Sequence, residues 1–189
     1  MKEKLDKIKL ILIDVDNTGL CLKMYNNNGI NDKEHGKRII GVKDDMEWLK
    51  YNIVNNAYKY CEAPIPIVNV VNFVVSNGGL TMGLTECKNS FEYNSKFNRL
   101  KECYQGSFLH HGELISVDTR HVKVPVIKML AEKYELQYDE IMFIDDSYME
   151  VMEAAEIGVI ALHTTEAMMR FATMDDLDTK GICVAANDK

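Results

Sequence analysis

Two aspartates, Asp14 and Asp16, stand one residue apart at the end of the apolar run Ile8-Lys9-Leu10-Ile11-Leu12-Ile13, with Thr18 just beyond. A run so rich in Ile and Leu reads as a β-strand buried on both faces. Side chains alternate along a strand, so both carboxylates share one face where the strand emerges. A buried carboxylate is costly unless it is paired or holds a metal; the plainer alternative is a strand running into a solvated, Asp-rich turn. The segment Ile141-Met142-Phe143-Ile144-Asp145-Asp146-Ser147 repeats the pattern and favours the first reading. In open α/β sheets, ligands bind at the carboxyl ends of the strands, so two such strands can bring up to four carboxylates together. Their mutual repulsion calls for a divalent cation. Hard oxygen donors with no neighbouring His or Cys select Mg²⁺ over zinc.

The elements that must position these groups alternate along the chain. Residues 19–43 read as an irregular flap, a hairpin with Arg38-Ile39-Ile40 in its return arm. Asp44 and Asp45 open a predicted helix whose apolar face carries Met46, Leu49, Ile53, Ala57 and Tyr60, stopped by Ala63-Pro64-Ile65-Pro66. The β-branched stretch Ile67 to Val75 predicts the second buried strand, ending at Ser76-Asn77-Gly78-Gly79. A helix over 90–104 places Tyr93, Phe97, Leu100 and Tyr104 on one face, and Glu113–Val117 is a further strand. Pro125 suits the first turn of a helix that buries Ile127, Leu130, Ala131 and Tyr134. A strand over Ile141–Asp145, a helix from Ser147 to Ile157 capped by Gly158, and a strand through His163 complete the series. Ser147 to Glu150 has the capping-box pattern. The alternation implies a mainly parallel sheet covered by helices on both faces.

At 189 residues the chain is read as one domain over 1–189. Its net charge of −7 argues against broad nucleic-acid binding, and no apolar stretch approaches the length of a membrane span. The first apolar run ends in Asp14 and is too short for a signal peptide. Five scattered cysteines without CxxC spacing suit reduced thiols, so a cytoplasmic protein is the expectation. His110, His111 and His121 lack ligand spacing and read as surface histidines. In the tail, 174–189, Gly181 to Ala185 offers a short edge strand.

Four separated pieces, in order, resemble the haloacid dehalogenase (HAD) superfamily of phosphotransferases over about residues 9–163. Asp14-Val15-Asp16-Asn17-Thr18 matches the family's DxDxT motif, and Ser76, followed by Asn77-Gly78, matches its second-motif Ser/Thr. Lys123, just ahead of Pro125, resembles the third-motif lysine, and Asp145-Asp146-Ser147 the acidic fourth motif. The resemblance implies a HAD-like, doubly wound α/β fold with a small flap and no large cap, since neither gap between motifs has room for one.

The resemblance also implies roles. Asp14 is the nucleophile and forms an aspartyl-phosphate; Asp16 is the general acid and base, and its backbone carbonyl joins the metal. Mg²⁺ is held by Asp14, Asp16, Asp146 and Asp145, with Asp146 the direct ligand and Asp145 a direct or water-mediated one. Thr18, Ser76, Asn77 and Lys123 meet the phosphate. Ser76 has a competing reading as a turn residue, Thr18 as a partner of its own turn, and Lys128 competes with Lys123. An acid at Asp16 disfavours dehalogenation and suits phosphomonoester hydrolysis. A phospho-Asp signalling module and a low-turnover binding protein are the alternatives. The basic residues Lys23, Lys33, Lys37, Arg38 and Lys43 in the flap suit an anionic substrate, either a small phosphate ester or a phosphorylated macromolecule, or serve only solubility.

Overall fold

The strand β1 (Leu10–Ile13) is central because each of its four side chains is apolar and buried. In the computed structural model, which describes residues 5–22, 57–104, 112–117 and 122–172, four further strands flank it. They are β4 (Leu80–Glu86), β5 (Gly112–Val117), β6 (Ile141–Asp145) and β7 (Ile160–His163), in the order β5-β4-β1-β6-β7. All pairings are parallel, with Leu10 opposite Leu80 on one side and Ile141 on the other. A separate two-residue ladder joins β2 (Cys21–Leu22) to β3 (Cys61–Glu62), antiparallel.

The alternation of side chains along β1 divides the core in two. Ile11 and Ile13 pack with α1 (Ile65–Ser76), α2 (Ser90–Tyr104) and α5 (Thr164–Phe171) through Val70, Val74, Leu100 and Phe171. Leu10 and Leu12 point the other way, into α3 (Lys123–Lys133) and α4 (Tyr148–Glu156), against Ile127, Leu130 and Ala154. Each fully buried aliphatic side chain contributes about 1.5–3 kcal/mol, so both faces of β1 are anchored, and its carboxyl end has a fixed place. The layered, helix-covered sheet expected from the alternation is present. Among the described residues no helix is long and apolar enough to cross a membrane.

The principal difference from expectation lies between Pro64 and Gly79. Ile67–Val75 is not the second strand; it lies within α1. Pro64 is the N-cap and Pro66 lies in the first turn, so the prolines start a helix instead of stopping one. The buried residues Ile67, Val70, Val71 and Val74 recur at helical spacing. Burial of that stripe outweighs the few tenths of a kcal/mol by which β-branched residues disfavour helix. The second strand is β4, after the turn. The expected helix ending at Tyr60 lies mostly outside the described residues; its last part, Ala57–Tyr60, is a 3-10 turn leading into β3. Of the flap over 19–43 only residues 19–22 are described, with Cys21–Leu22 forming β2; the rest of it and the tail from 174 lie outside them. α5 was not anticipated.

The exit from α1 sets the start of β4. Gly78 adopts φ +84°, its N–H donates to Val75 O at 3.0 Å, and Gly79 N–H donates to Val74 O at 2.9 Å. This is a Schellman termination, with a glycine in the left-handed region. Gly79 then lies so close to its neighbours that a Cβ would stand 2.5 Å from Val74 Cγ1 and 3.2 Å from Lys9 O. The backbone cannot yield, because Leu80 N–H donates to Lys9 O at 2.8 Å to align β4 with β1. Gly79→Ala is therefore expected to destabilise the protein by about 1–3 kcal/mol, seen as a lower urea midpoint at unchanged slope. An unmoved midpoint would contradict the packing described.

Candidate active site

Past Ile13 the chain leaves the sheet in a tight turn. Asp14 N–H still donates to Ile144 O at 2.9 Å, holding Asp14 at the β6 edge, while Gly19 N–H donates back to Asp14 O at 2.9 Å. Asn17 takes φ +62°, a conformation that asparagine tolerates. Val15 goes into the core, and Asp14 and Asp16 line a cleft of about 480 Å³ with Thr85, Lys123, Asp146 and Ser147 among its walls. β6 ends beside β1, so Asp145 and Asp146 arrive at the same edge.

The centre of the cleft is an ion-pair cluster. Lys123, in the first turn of α3, places Nζ 2.6 Å from Asp14 Oδ1 and 2.6 Å from Asp145 Oδ2. These groups are 8 %, 6 % and 1 % exposed, so neither acid is tolerable without the ammonium. Asp145 Oδ1 also accepts from Ser147 N–H at 2.7 Å, and Asp146 Oδ2 accepts from Asn17 Nδ2 at 3.0 Å. His163 Nε2 and the Asp146 carbonyl oxygen are 3.0 Å apart, which holds that peptide in place.

Burial pushes the Asp14 carboxyl well above its ordinary range; the Lys123 charge opposes this, and Asp145 and Asp16 add to it. Burial likewise raises Asp145 against the pull of Lys123, and raises Asp146 against the Asn17 hydrogen bond. Burial works to lower Lys123, but Asp14 and Asp145 outweigh it and hold the ammonium firmly protonated. One oxygen from each of Asp14, Asp145 and Asp146 lies within 4.8 Å of the others. Three carboxylate oxygens in that space, on acids reluctant to ionise side by side, fit a hard divalent cation.

Asp16 belongs to a neighbouring network. Its Oδ1 accepts from Tyr58 OH at 2.9 Å; its Oδ2 accepts from Lys96 Nζ at 2.6 Å and from Thr85 Oγ1 at 3.2 Å. Burial works to lower Lys96, yet Asp16 and then Glu92 hold it above its ordinary value.

The structure thus brings together Asp14, Asp16, Asp145, Asp146 and Lys123 of the expected set. It does not bring in three others. Ser76 ends α1, where its hydroxyl donates to Phe73 O at 2.8 Å; Asn77 Nδ2 donates to the same carbonyl at 3.0 Å. Both precede β4, at the sheet edge beside Lys9, opposite the cleft. Taking α1 for a strand exchanged the two edges, and the hydroxyl at the carboxyl end of the true second strand is Thr85. Thr18 is fully buried, with Oγ1 2.7 Å from Thr164 Oγ1, so it ties the turn to α5 and does not face the cleft. Lys128 is exposed on α3, leaving Lys123 as the site lysine. Ser147 is the N-cap of α4 but makes no side-chain cap, so the expected capping box is absent; Glu150 is instead buried beside Asp145.

The residues not anticipated are Thr85, Lys96, Tyr58 and Glu92. A signal for two of them exists: Glu92 and Lys96 extend the buried i, i+4 stripe that continues through Leu100 and Tyr104.

No protein-family model matches this sequence, and no curated protein matches it significantly. Solved structures do. A haloacid dehalogenase-like family hydrolase from Streptococcus pneumoniae superposes with a TM-score of 0.54 at 13 % identity, over 87 % of this chain and 91 % of that one. A HAD family enzyme from Bacteroides thetaiotaomicron, in its magnesium complex, gives 0.52 at 14 % identity, over 83 % and 93 %. At these identities the likeness shows the fold: the chain has the HAD-like fold that its motifs resemble.

The three raised acids set a pH-dependent prediction. A carboxyl raised in the folded state contributes stability that is complete in acid and is lost as pH climbs through its folded value. At neutral pH the metal-free protein therefore carries an electrostatic penalty, which a cation at these oxygens relieves. Mg²⁺ at about a hundred times its dissociation constant stabilises by about 2.7 kcal/mol, or about 5–10 °C in Tm for a chain of this size. The Tm rise is expected to be larger at pH 7.5 than at pH 5 and to be largely lost in Asp146→Ala. Equal rises at both pH values, or an undiminished rise in the variant, would exclude this cluster as the metal site.

Proposed function

We propose that the protein is a Mg²⁺-dependent phosphomonoester hydrolase that works through an aspartyl-phosphate on Asp14. The observation that carries this reading is the pairing of one buried ammonium, Lys123, with Asp14 and Asp145 while Asp146 stands within cation-sharing distance. A phosphoryl group brings negative charge on its oxygens, so a carboxylate can approach phosphorus only where positive charge is already fixed. Lys123 is such a charge. Asp14, Asp145, Asp146 and the Asp16 carbonyl would hold Mg²⁺, which would supply the remaining neutralisation of phosphate and acids.

An Asp14 oxygen attacks phosphorus, and the bond from phosphorus to the ester oxygen breaks. Asp16, two residues on in the same cleft, gives its proton to the departing alkoxide. A water molecule then attacks the phosphorus of the aspartyl-phosphate and passes a proton to the Asp16 carboxylate. The bond to Asp14 breaks, inorganic phosphate leaves, and both aspartates return to their starting states. The Thr85 hydroxyl, at the carboxyl end of β4, lines the same cleft and donates to Asp16 Oδ2; with substrate bound, its one proton would turn to a phosphate oxygen. The substrate is a phosphorylated molecule. The HAD-like fold shared with a magnesium-bound enzyme is consistent with the same chemistry.

A panel of aryl and alkyl phosphates assayed with Mg²⁺, with EDTA, and with Asp14→Asn tests the mechanism. Turnover is expected to need both the metal and Asp14, and to fall by at least about 10³-fold without either; turnover that survives both removals rejects the proposal. A second pair of variants tests the assignment of the hydroxyl. Thr85→Ala is expected to lower kcat/KM by about tenfold or more, whereas Ser76→Ala leaves it unchanged; the reverse pattern would reinstate Ser76.

A further inference from the structure

Lys96 is 1 % exposed, yet its ammonium is aimed at the side of the cleft that holds Asp16. Nζ lies 2.6 Å from Asp16 Oδ2, 2.7 Å from the Glu86 carbonyl oxygen, 3.0 Å from Thr85 Oγ1 and 3.2 Å from Glu92 Oε1. The Tyr58 ring covers it, with Nζ 5.4 Å from the ring centre. A long cationic side chain in the buried stripe of a helix is costly where a leucine would pack without charge. Glu92 is one reason for a cation here, but the shorter contact is to Asp16.

Asp16 has a half-exposed side chain, 46 % accessible. On its own it would turn freely in solvent. Three donors instead fix both oxygens: Tyr58 OH on Oδ1, and Lys96 Nζ with Thr85 Oγ1 on Oδ2. Of these, Lys96 makes the shortest bond and the only charged one, and charge-assisted bonds are about twice as strong as neutral ones. We propose that Lys96 is a positioning residue for Asp16: from α2 it fixes the carboxyl that exchanges a proton with the leaving group, as Lys123 from α3 fixes the nucleophile. Glu92 gives the ammonium a second anion, so Lys96 keeps a charged partner, and its place beside Asp16, when the Asp16 carboxyl carries its proton. The walls around Nζ keep it off the substrate, so its effect passes through Asp16.

This inference rests on the phosphatase reading, and one experiment separates the two. The wild type, Lys96→Met and the double variant Lys96→Met/Glu92→Gln are assayed with Mg²⁺ on p-nitrophenyl phosphate and on glycerol 2-phosphate. The first releases a stable anion that needs no proton; the second releases an alkoxide that does. Loss of Asp16 placement is expected to lower kcat on glycerol 2-phosphate by about tenfold to a hundredfold, and on the aryl ester by less than about threefold. The Mg²⁺ dissociation constant is expected to stay unchanged. The double variant leaves no buried charge without a partner, so it carries the comparison if the single variant loses its circular-dichroism spectrum. An equal fall on both esters, or no fall, overturns the positioning role while leaving the phosphatase reading intact. A wild type that hydrolyses neither ester overturns both.

Discussion

Lys123 stands 2.6 Å from a carboxylate oxygen on each of two strands, Asp14 after β1 and Asp145 at the end of β6. The two strands are neighbours, so hydrogen bonding along their length delivers both acids to one edge of the sheet with almost no water around them. Like charges at that distance in a low-dielectric setting repel by several kcal/mol. The ammonium makes their coexistence possible. Its position is set in turn by α3, whose Ile127, Leu130 and Ala131 are buried against the β1–β6 face. Packing of an aliphatic layer thus determines where a charge can stand, and the charge determines which acids can be buried.

One ammonium does not balance three acids. Asp14, Asp145 and Asp146 all lie above the ordinary carboxylate range, each through burial first. Strain of this kind is distributed where the fold can bear it: β1 and β6 are apolar on both faces, and both halves of the core are anchored to them. The residual negative charge favours binding of a divalent cation.

Much of this was legible in the residues. The runs ending in Asp14 and Asp145 read as buried strands, and Pro125 ahead of Ile127, Leu130 and Ala131 as the first turn of a helix, which favoured Lys123 over its competitor Lys128 as the lysine near the strand ends. Ser90 to Tyr104 carried its helical period openly. The failure at Ile67–Val75 has a physical origin. A short β-branched run satisfies both a buried strand and a helix packed on a sheet, and only the positions of Val70, Val71 and Val74 relative to Ile67 separate them. Because a strand's polarity decides which end bears ligands, that one exchange moved the expected hydroxyl from Thr85 to Ser76. Thr18 was misplaced for a different reason: its partner, Thr164, lies 146 positions away on a helix that was not foreseen. The Lys96 network was hidden because an i, i+4 Glu–Lys pair on a helix is usually a solvated surface pair.

The placement of the two lysines follows from the geometry of a strand–helix unit. Each strand of a parallel sheet ends at the edge where the next helix begins, so the first turns of that helix overlook the ligand edge. Lys123 is the first residue of α3 and reaches Asp14 directly. Lys96 lies nearly two turns into α2 and needs the whole length of its side chain to come back to Asp16. The two helices cover opposite faces of the sheet, α2 with Ile11 and Ile13, α3 with Leu10 and Leu12. Adjacent acids on a single turn are therefore gripped from opposite sides. Lys96, buried in the stripe that Leu100 and Tyr104 continue, is accounted for by the acids it faces, Asp16 and Glu92, and not by the core volume it fills.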